Sequence, residues 1–329
     1  MEEQNGRKIK IINNLGLSAE FSPIGASIRS LKLNGKPLLL EAKEDSVFEK
    51  SPFFCSKVLG RVAGRIPNVV DLGDKVYRFP ETEPGDCLHG GLMDSLSFVR
   101  FEVYIANQPE GNYVIFTYTS PDGDCGFPGN LDIKVTYFMP INRNEITVRL
   151  KAIGDADTPV NLSLHPYFNL EGTENIDDQL LCIHGSRYGH HKPGCNLIDS
   201  IEPIPQYLDF TKPVKVGERI AQIASADKDM NTLDHLFLFD TIQSEKPQVT
   251  LQARHLRLEI LTDYEGVNVY ADGNTKDSAD YVNNPNLKLH RALAIEPELS
   301  NVPFENLMLK AGQKYSKFMT FRFLETEGE

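Results

Sequence analysis

The sequence predicts an all-β protein, a large antiparallel β-sandwich with few short helices. Three observations carry that expectation. Apolar and polar residues alternate with period two along most of the 329 residues. Turn residues of the kind found in hairpins separate the alternating runs. Helical periodicity with capping residues is not sustained anywhere.

The runs follow in order, each with an apolar face that a strand would turn inward. Residues 26–33 carry Ile28, Leu31 and Leu33, and Asn34-Gly35 closes the run. Residues 75–79 carry Tyr77 and Phe79 after the turn Leu72-Gly73-Asp74. Residues 98–105 present Phe101, Val103 and Ile105, then Pro109-Glu110-Gly111-Asn112 turns the chain into 113–118 with Val114, Phe116 and Tyr118. Pro121-Asp122-Gly123 precedes 131–138 with Leu131, Ile133, Val135 and Tyr137. Asn142-Arg143-Asn144 precedes 145–152 with Ile146, Val148 and Leu150. Later runs are 256–261, 266–270 and 317–323. Short helical turns are expected around 48–58 and 221–223. Two stretches rich in Pro, Gly and polar residues, 41–68 and 185–234, read as ordered loops over one sandwich, so residues 1–329 are expected to form a single domain.

A net charge of −12 and a pI near 5.2 oppose nucleic acid or an anionic membrane as partner, because both require clustered basic surface. A small neutral or cationic ligand fits better. The first residues, Met1-Glu2-Glu3-Gln4-Asn5-Gly6-Arg7-Lys8, lack the apolar stretch of a signal peptide, and no later segment suits a membrane span, so a cytoplasmic protein is expected. Five scattered cysteines form no C-x-x-C pair and no disulfide framework.

Residues with chemical potential sit at strand ends. In Asn161-Leu162-Ser163-Leu164-His165-Pro166, alternation sends Val160, Leu162 and Leu164 to a core and Asn161, Ser163 and His165 to a polar cleft. Pro166 ends the strand just past the imidazole. The competing reading of His165 is a buried histidine satisfied by a backbone carbonyl. Glu296 repeats the pattern in Leu293-Ala294-Ile295-Glu296-Pro297-Glu298, where apolar neighbours would desolvate the carboxyl and strengthen it as a base. Pro297 is expected to end that strand and leave Glu298 solvated. His89, before Gly90-Gly91, is either a site residue or the cap of a surface turn. Arg61 and Arg65 either hold a polar ligand with forked hydrogen bonds or serve as structural ion-pair partners. Asp234 either meets a sugar hydroxyl or caps a turn. Cys182, His184, His190, His191 and Cys195 match no tetrahedral metal spacing, and no phosphate loop or nucleophile elbow is present, so neither a metal nor a cofactor is expected.

Taken together these islands resemble the aldose 1-epimerase (galactose mutarotase) family over most of the chain. The resemblance rests on Gly60-Arg61 with Arg65-Ile66, Leu88-His89-Gly90-Gly91, Ser120-Pro121-Asp122-Gly123 with Gly126 to Leu131, His165 to Leu170, Leu208 to Thr211, Asp234-His235, Gly266 to Tyr270, and Glu296-Pro297-Glu298. It implies a galactose mutarotase-like supersandwich that binds a small sugar and interconverts α and β anomers of a free aldose without a cofactor. By motif position, Glu296 would take the anomeric hydroxyl proton, His165 would protonate the ring oxygen, and His89 would hydrogen-bond beside it. Arg65, Asp234 and Asn268 would hold sugar hydroxyls. Gly64 stands where the family usually has asparagine, Asn268 where glutamine is commoner, and Val302-Pro303-Phe304 replaces the usual proline and aspartate, so the preferred sugar stays open. Alternatives are a non-catalytic sugar-binding or sensing protein on the same scaffold and, ranked lower, a glycosidase using Asp234 with Glu296 or a sugar-phosphate epimerase.

Overall fold

The computed structural model describes residues 9–73, 75–172, 175–192, 194–227, 232–271 and 291–327, so the first eight residues and Asp74 of the second turn lie outside the described residues. The turns join neighbouring strands as expected. Glu102–Gln108, Gly111–Ser120, Leu131–Pro140 and Glu145–Gly154 form an antiparallel meander. Lys314–Glu325 pairs with its last strand, and Leu256–Thr262, Val249–Gln252, Leu180–Ile183 and Val214–Lys215 extend the sheet to nine strands. Ile9–Ile12, Leu17–Ser22, Ser27–Leu33 and Lys36–Pro37 make a four-stranded sheet.

A third sheet positions the site. Its order is Tyr167–Phe168, Leu293–Glu298, Gly266–Ala271, Asp234–Leu238, Arg187–His191 and Ile198–Pro203. The main apolar core draws on all three sheets, with Phe116 and Val135 from the nine-stranded sheet, Leu17 and Ile28 from the four-stranded one, and Val267, Val269 and Ile295 from the third. Because strand residues alternate, burying Val267, Val269 and Ile295 turns Asn268, Tyr270, Glu296 and Glu298 to the opposite face. A slip of one residue would drive the carboxylates into the core and expose side chains whose burial contributes roughly 1.5–3 kcal/mol each. The same alternation that builds the core therefore aims the catalytic candidates.

The stretch 185–234 departs from its expected loop character. It supplies two strands of the third sheet and the helix Val216–Ala226, which is longer than the turn expected at 221–223. Val216, Ile220 and Ile223 bury one helix face, and Arg219 donates to the carbonyls of Gln206 and Asp209. Arg187–His191 has no β-branched residue, so its strand state comes from pairing with its neighbours rather than from local propensity. Within 41–68 the helix is Asp45–Lys50, slightly before the expected place, with Phe48 as its buried anchor. The run read at 98–105 pairs instead as Glu102–Gln108, where the hairpin turn fixes its register. Among the described residues, no helix is long and apolar enough to cross a membrane.

Candidate active site

A cleft of about 400 Å³ opens on the outer face of the third sheet, lined among others by Gly64, Arg65, His89, His165, Asp234, Asn268, Glu296 and Glu298. The structure thus brings all six expected site residues together. The strand that carries His165 is shorter than expected, only Ser163–Leu164, and it pairs with Val58–Leu59. His165 follows in the gap before Tyr167–Phe168, its N–H donating to the Lys57 carbonyl at 3.1 Å and its carbonyl accepting from Ser56 N–H at 2.8 Å. Asn161 and Ser163, expected to line the polar cleft, are fully buried instead. The Asn161 amide exchanges hydrogen bonds with the Leu299 backbone at 3.3 and 3.0 Å, and Ser163 Oγ donates to the Pro297 carbonyl at 2.8 Å. These bonds clasp the His165 segment to the Glu296 strand. The result places His165 Nε2 3.3 Å from Glu296 Oε1.

His89 lies at the end of Asp86–Leu88, which pairs with Arg65–Pro67. It is buried, not a surface cap. Gly90 has φ +77°, and a Cβ there would stand 2.4 Å from the Gly60 carbonyl oxygen, so only glycine allows this turn. Gly64 N–H donates to His89 Nδ1 at 3.2 Å, which leaves the proton of the neutral ring on Nε2. Phe54 packs edge-on against His89 with ring centres 4.8 Å apart and stacks on His165 with centres 6.2 Å apart and planes 30° from parallel. Arg65 Nε bonds Glu83 at 2.9 Å, and its Nη1 meets Asp234 at 3.3 Å. Asn268 is the cross-strand partner of Glu296 and donates to Asp234 at 3.4 Å. Asp234 opens a strand and faces the cleft rather than capping a turn.

The two arginines divide the two readings between them. Arg61 is buried and purely structural, donating to Ser120 Oγ at 3.0 Å and to the carbonyls of Ser120, Pro121 and Pro128 at 2.8–3.1 Å, and so clamps the turn after Gly111–Ser120. Arg65 alone reaches the cleft.

Burial sets the electrostatics. It pushes the Glu296 carboxyl well above the ordinary carboxylate range, with Glu298 and Asp234 adding to the rise. It lowers His165 to about 4 and holds His89 well below the usual histidine range. The buried His165–Glu296 pair therefore holds one ionisable proton between its two partners across neutral pH. Burial alone would raise Asp234, but Arg65, His191, His235 and the Asn268 amide together more than offset this and keep it ionised.

Glu298 is the clearest correction. It was expected to be solvated, yet it is 4% exposed, lines the cleft, and is pushed up to about 8 by burial and then by Asp234. Pro297 does not end the strand. Tyr167–Phe168 pairs only as far as Ala294, so beyond that point one side of the strand has no ladder to break. Period-two spacing from Glu296 was the available signal for Glu298. Phe54, Glu83 and Tyr167 gave no such signal, because distant loops and strands bring them in.

Among the described residues, the only three side chains placed to share a metal ion are His89, His165 and Glu296, with ligand atoms within 4.8 Å of one another. The rival group does not assemble. Cys182 lies in the nine-stranded sheet, His190 and His191 lie in the third sheet, and His191 lines the cleft instead.

Comparison with known proteins identifies the family and the fold. Residues 7–322 match the family model for aldose 1-epimerase. The chain is 29% identical to galactose mutarotase of Mus musculus, covering 93% of this chain and 91% of that protein. It is 27% identical to an aldose 1-epimerase of Haemophilus influenzae, covering 96% and 95%. The fold is that of a galactose 1-epimerase from Lactobacillus acidophilus, with a TM-score of 0.86 at 22% identity over 99% of this chain and 97% of that one. An aldose epimerase homologue from C. elegans gives 0.84 at 25% identity over 97% and 99%. The chain therefore belongs to the aldose 1-epimerase family, isomerases acting on carbohydrates.

Proposed function

We propose that this aldose 1-epimerase interconverts the anomers of a free aldose with Glu296 as the base at O1 and His165 as the acid at O5. The observation that carries the assignment is the 3.3 Å contact between His165 Nε2 and Glu296 Oε1 at the floor of the cleft. A hemiacetal ring opens when a proton leaves O1 and another reaches O5. With the shared proton on His165, the imidazolium gives it to O5 while the Glu296 carboxylate takes the proton of O1. The open aldehyde then faces neutral His165 and protonated Glu296, the distribution that burial favours. Rotation about C1–C2 and the reverse transfers close the ring as the other anomer. Net charge in the cleft never changes, which suits a dry site. His89 Nε2–H donates beside the ring oxygen, and Arg65, Asp234 and Asn268 hold hydroxyls.

We read residues 1–329 as one unit for this activity, because the core draws on all three sheets, and the five free cysteines fit the reducing cytoplasm. The test is anomer exchange measured by NMR with fresh α-glucose and α-galactose. Glu296→Gln is expected to lower kcat by about 10²–10⁴-fold with unchanged circular dichroism. Full activity in that variant refutes the assignment, and sugar binding without exchange in the wild type would favour a sensor.

A further inference from the structure

Among the described residues, the cleft carries more carboxyl groups than the reaction uses. Among those residues, four carboxyl groups, Glu83, Asp234, Glu296 and Glu298, line it with one guanidinium, Arg65. Arg65 is engaged by Glu83 and Asp234, and Glu296 is engaged by His165. Glu298 is left over. Its Oε2 is buried with no hydrogen-bond partner, in a side chain that is 96% withdrawn from solvent yet lines the cleft. Leaving a buried carboxyl unsatisfied is costly, so the group points to a ligand that supplies the missing donor.

Gly64 opens the way to it. A Cβ on Gly64 would stand 3.3 Å from Glu298 Oε1 and 3.4 Å from Oε2, so any side chain there would crowd the carboxyl. Glu298 sits two residues beyond Glu296 on the same strand face, about 7 Å along the strand. A sugar with O1 at Glu296 and its adjacent ring carbons lying along this strand would present their substituents to Glu298.

We propose that Glu298 and the space left by Gly64 form a subsite for a cationic amino group, making amino-aldoses the preferred substrates of this enzyme. The proposal rests on the aldose 1-epimerase reading above. An ammonium supplies several donors to an oxygen that has none, and its charge favours the ionised form of a carboxyl that burial keeps protonated near neutral pH. A neutral hydroxyl supplies one donor and no charge.

The experiment measures anomer exchange by NMR at pH 6.5 with glucose, 2-amino-2-deoxyglucose, 3-amino-3-deoxyglucose and N-acetylglucosamine. The wild type should favour one of the two amino sugars over glucose in kcat/KM by about tenfold or more, and N-acetylglucosamine should lose that preference. Glu298→Gln and Gly64→Asn should each reduce the amino-sugar to glucose ratio by about tenfold. A wild-type ratio at or below one for both amino sugars overturns the proposal, as does a ratio that Glu298→Gln leaves unchanged. The wild-type ratio decides even if a variant does not fold. Failure to exchange any sugar would refute the catalytic reading instead, and the same ratios, read as Kd by calorimetry, then decide the subsite.

Discussion

Glu298 makes a sharp stability prediction, because its carboxyl is pushed from an ordinary 4.5 to about 8 by burial. A carboxyl whose pKa is raised on folding binds its proton more tightly in the folded state. The resulting stability is complete below the unfolded value and is lost as pH rises through the folded one. Between pH 5 and pH 9 this amounts to about 4 kcal/mol, at about 1.4 kcal/mol per pKa unit. Glu298→Gln removes the titration and keeps the shape. The variant should therefore gain about 4 kcal/mol relative to the wild type as pH goes from 5 to 9, whatever its offset at pH 5. The gain includes relief of Glu296, whose own rise is partly caused by Glu298. Urea unfolding followed by far-ultraviolet circular dichroism reads it directly, since the chain has no tryptophan to report by fluorescence. A difference between variant and wild type that moves by less than about 1 kcal/mol over that range would refute the burial argument.

Three other outcomes follow from the same geometry. The exchange rate should stay flat through neutral pH and fall only as His165 takes a second proton near 4, because the pair then lacks a base; an acid limb near 6.5, the ordinary histidine value, contradicts the desolvated pair. Zn²⁺ should inhibit competitively with sugar and chelation should restore activity, since His89, His165 and Glu296 offer it the atoms that the reaction needs; no inhibition at millimolar zinc would show that these donors do not converge. Arg61→Met should cost about 3–5 kcal/mol in urea unfolding by stranding the buried carbonyls of Ser120 and Pro121, and a loss under about 1 kcal/mol would mean that the clamp is dispensable.

Much of the site was legible because it obeys one rule. Glu296 is a polar residue in an apolar strand, and Asn268, named from the family resemblance, lies between Val267 and Val269, so alternation is consistent with both facing away from the core. Glu298 obeys the same rule, but Pro297 masked it, since whether proline ends a strand depends on whether a neighbour needs its N–H. Asn161 and Ser163 were assigned to the correct face and the wrong surroundings. Their side chains meet backbone of the Glu296 strand rather than water, and nothing local to 161–165 encodes what packs on top.

By itself the sequence determined the β class, the hairpin order, the inward faces of the strands and the candidate residues for the chemistry. These depend on local periodicity and on turn conformation, both of which are written over a few neighbouring positions. Only the tertiary structure decided that 185–234 completes the sheet beneath the cleft, that Arg61 is a clamp while Arg65 faces the cleft, and that His165 and Glu296 touch. Those facts come from contacts between residues distant in sequence, where burial and pairing override what each segment prefers alone. The charge of the cleft belongs to this second class, because a carboxyl such as Glu298 becomes unusual only when the rest of the protein removes its water.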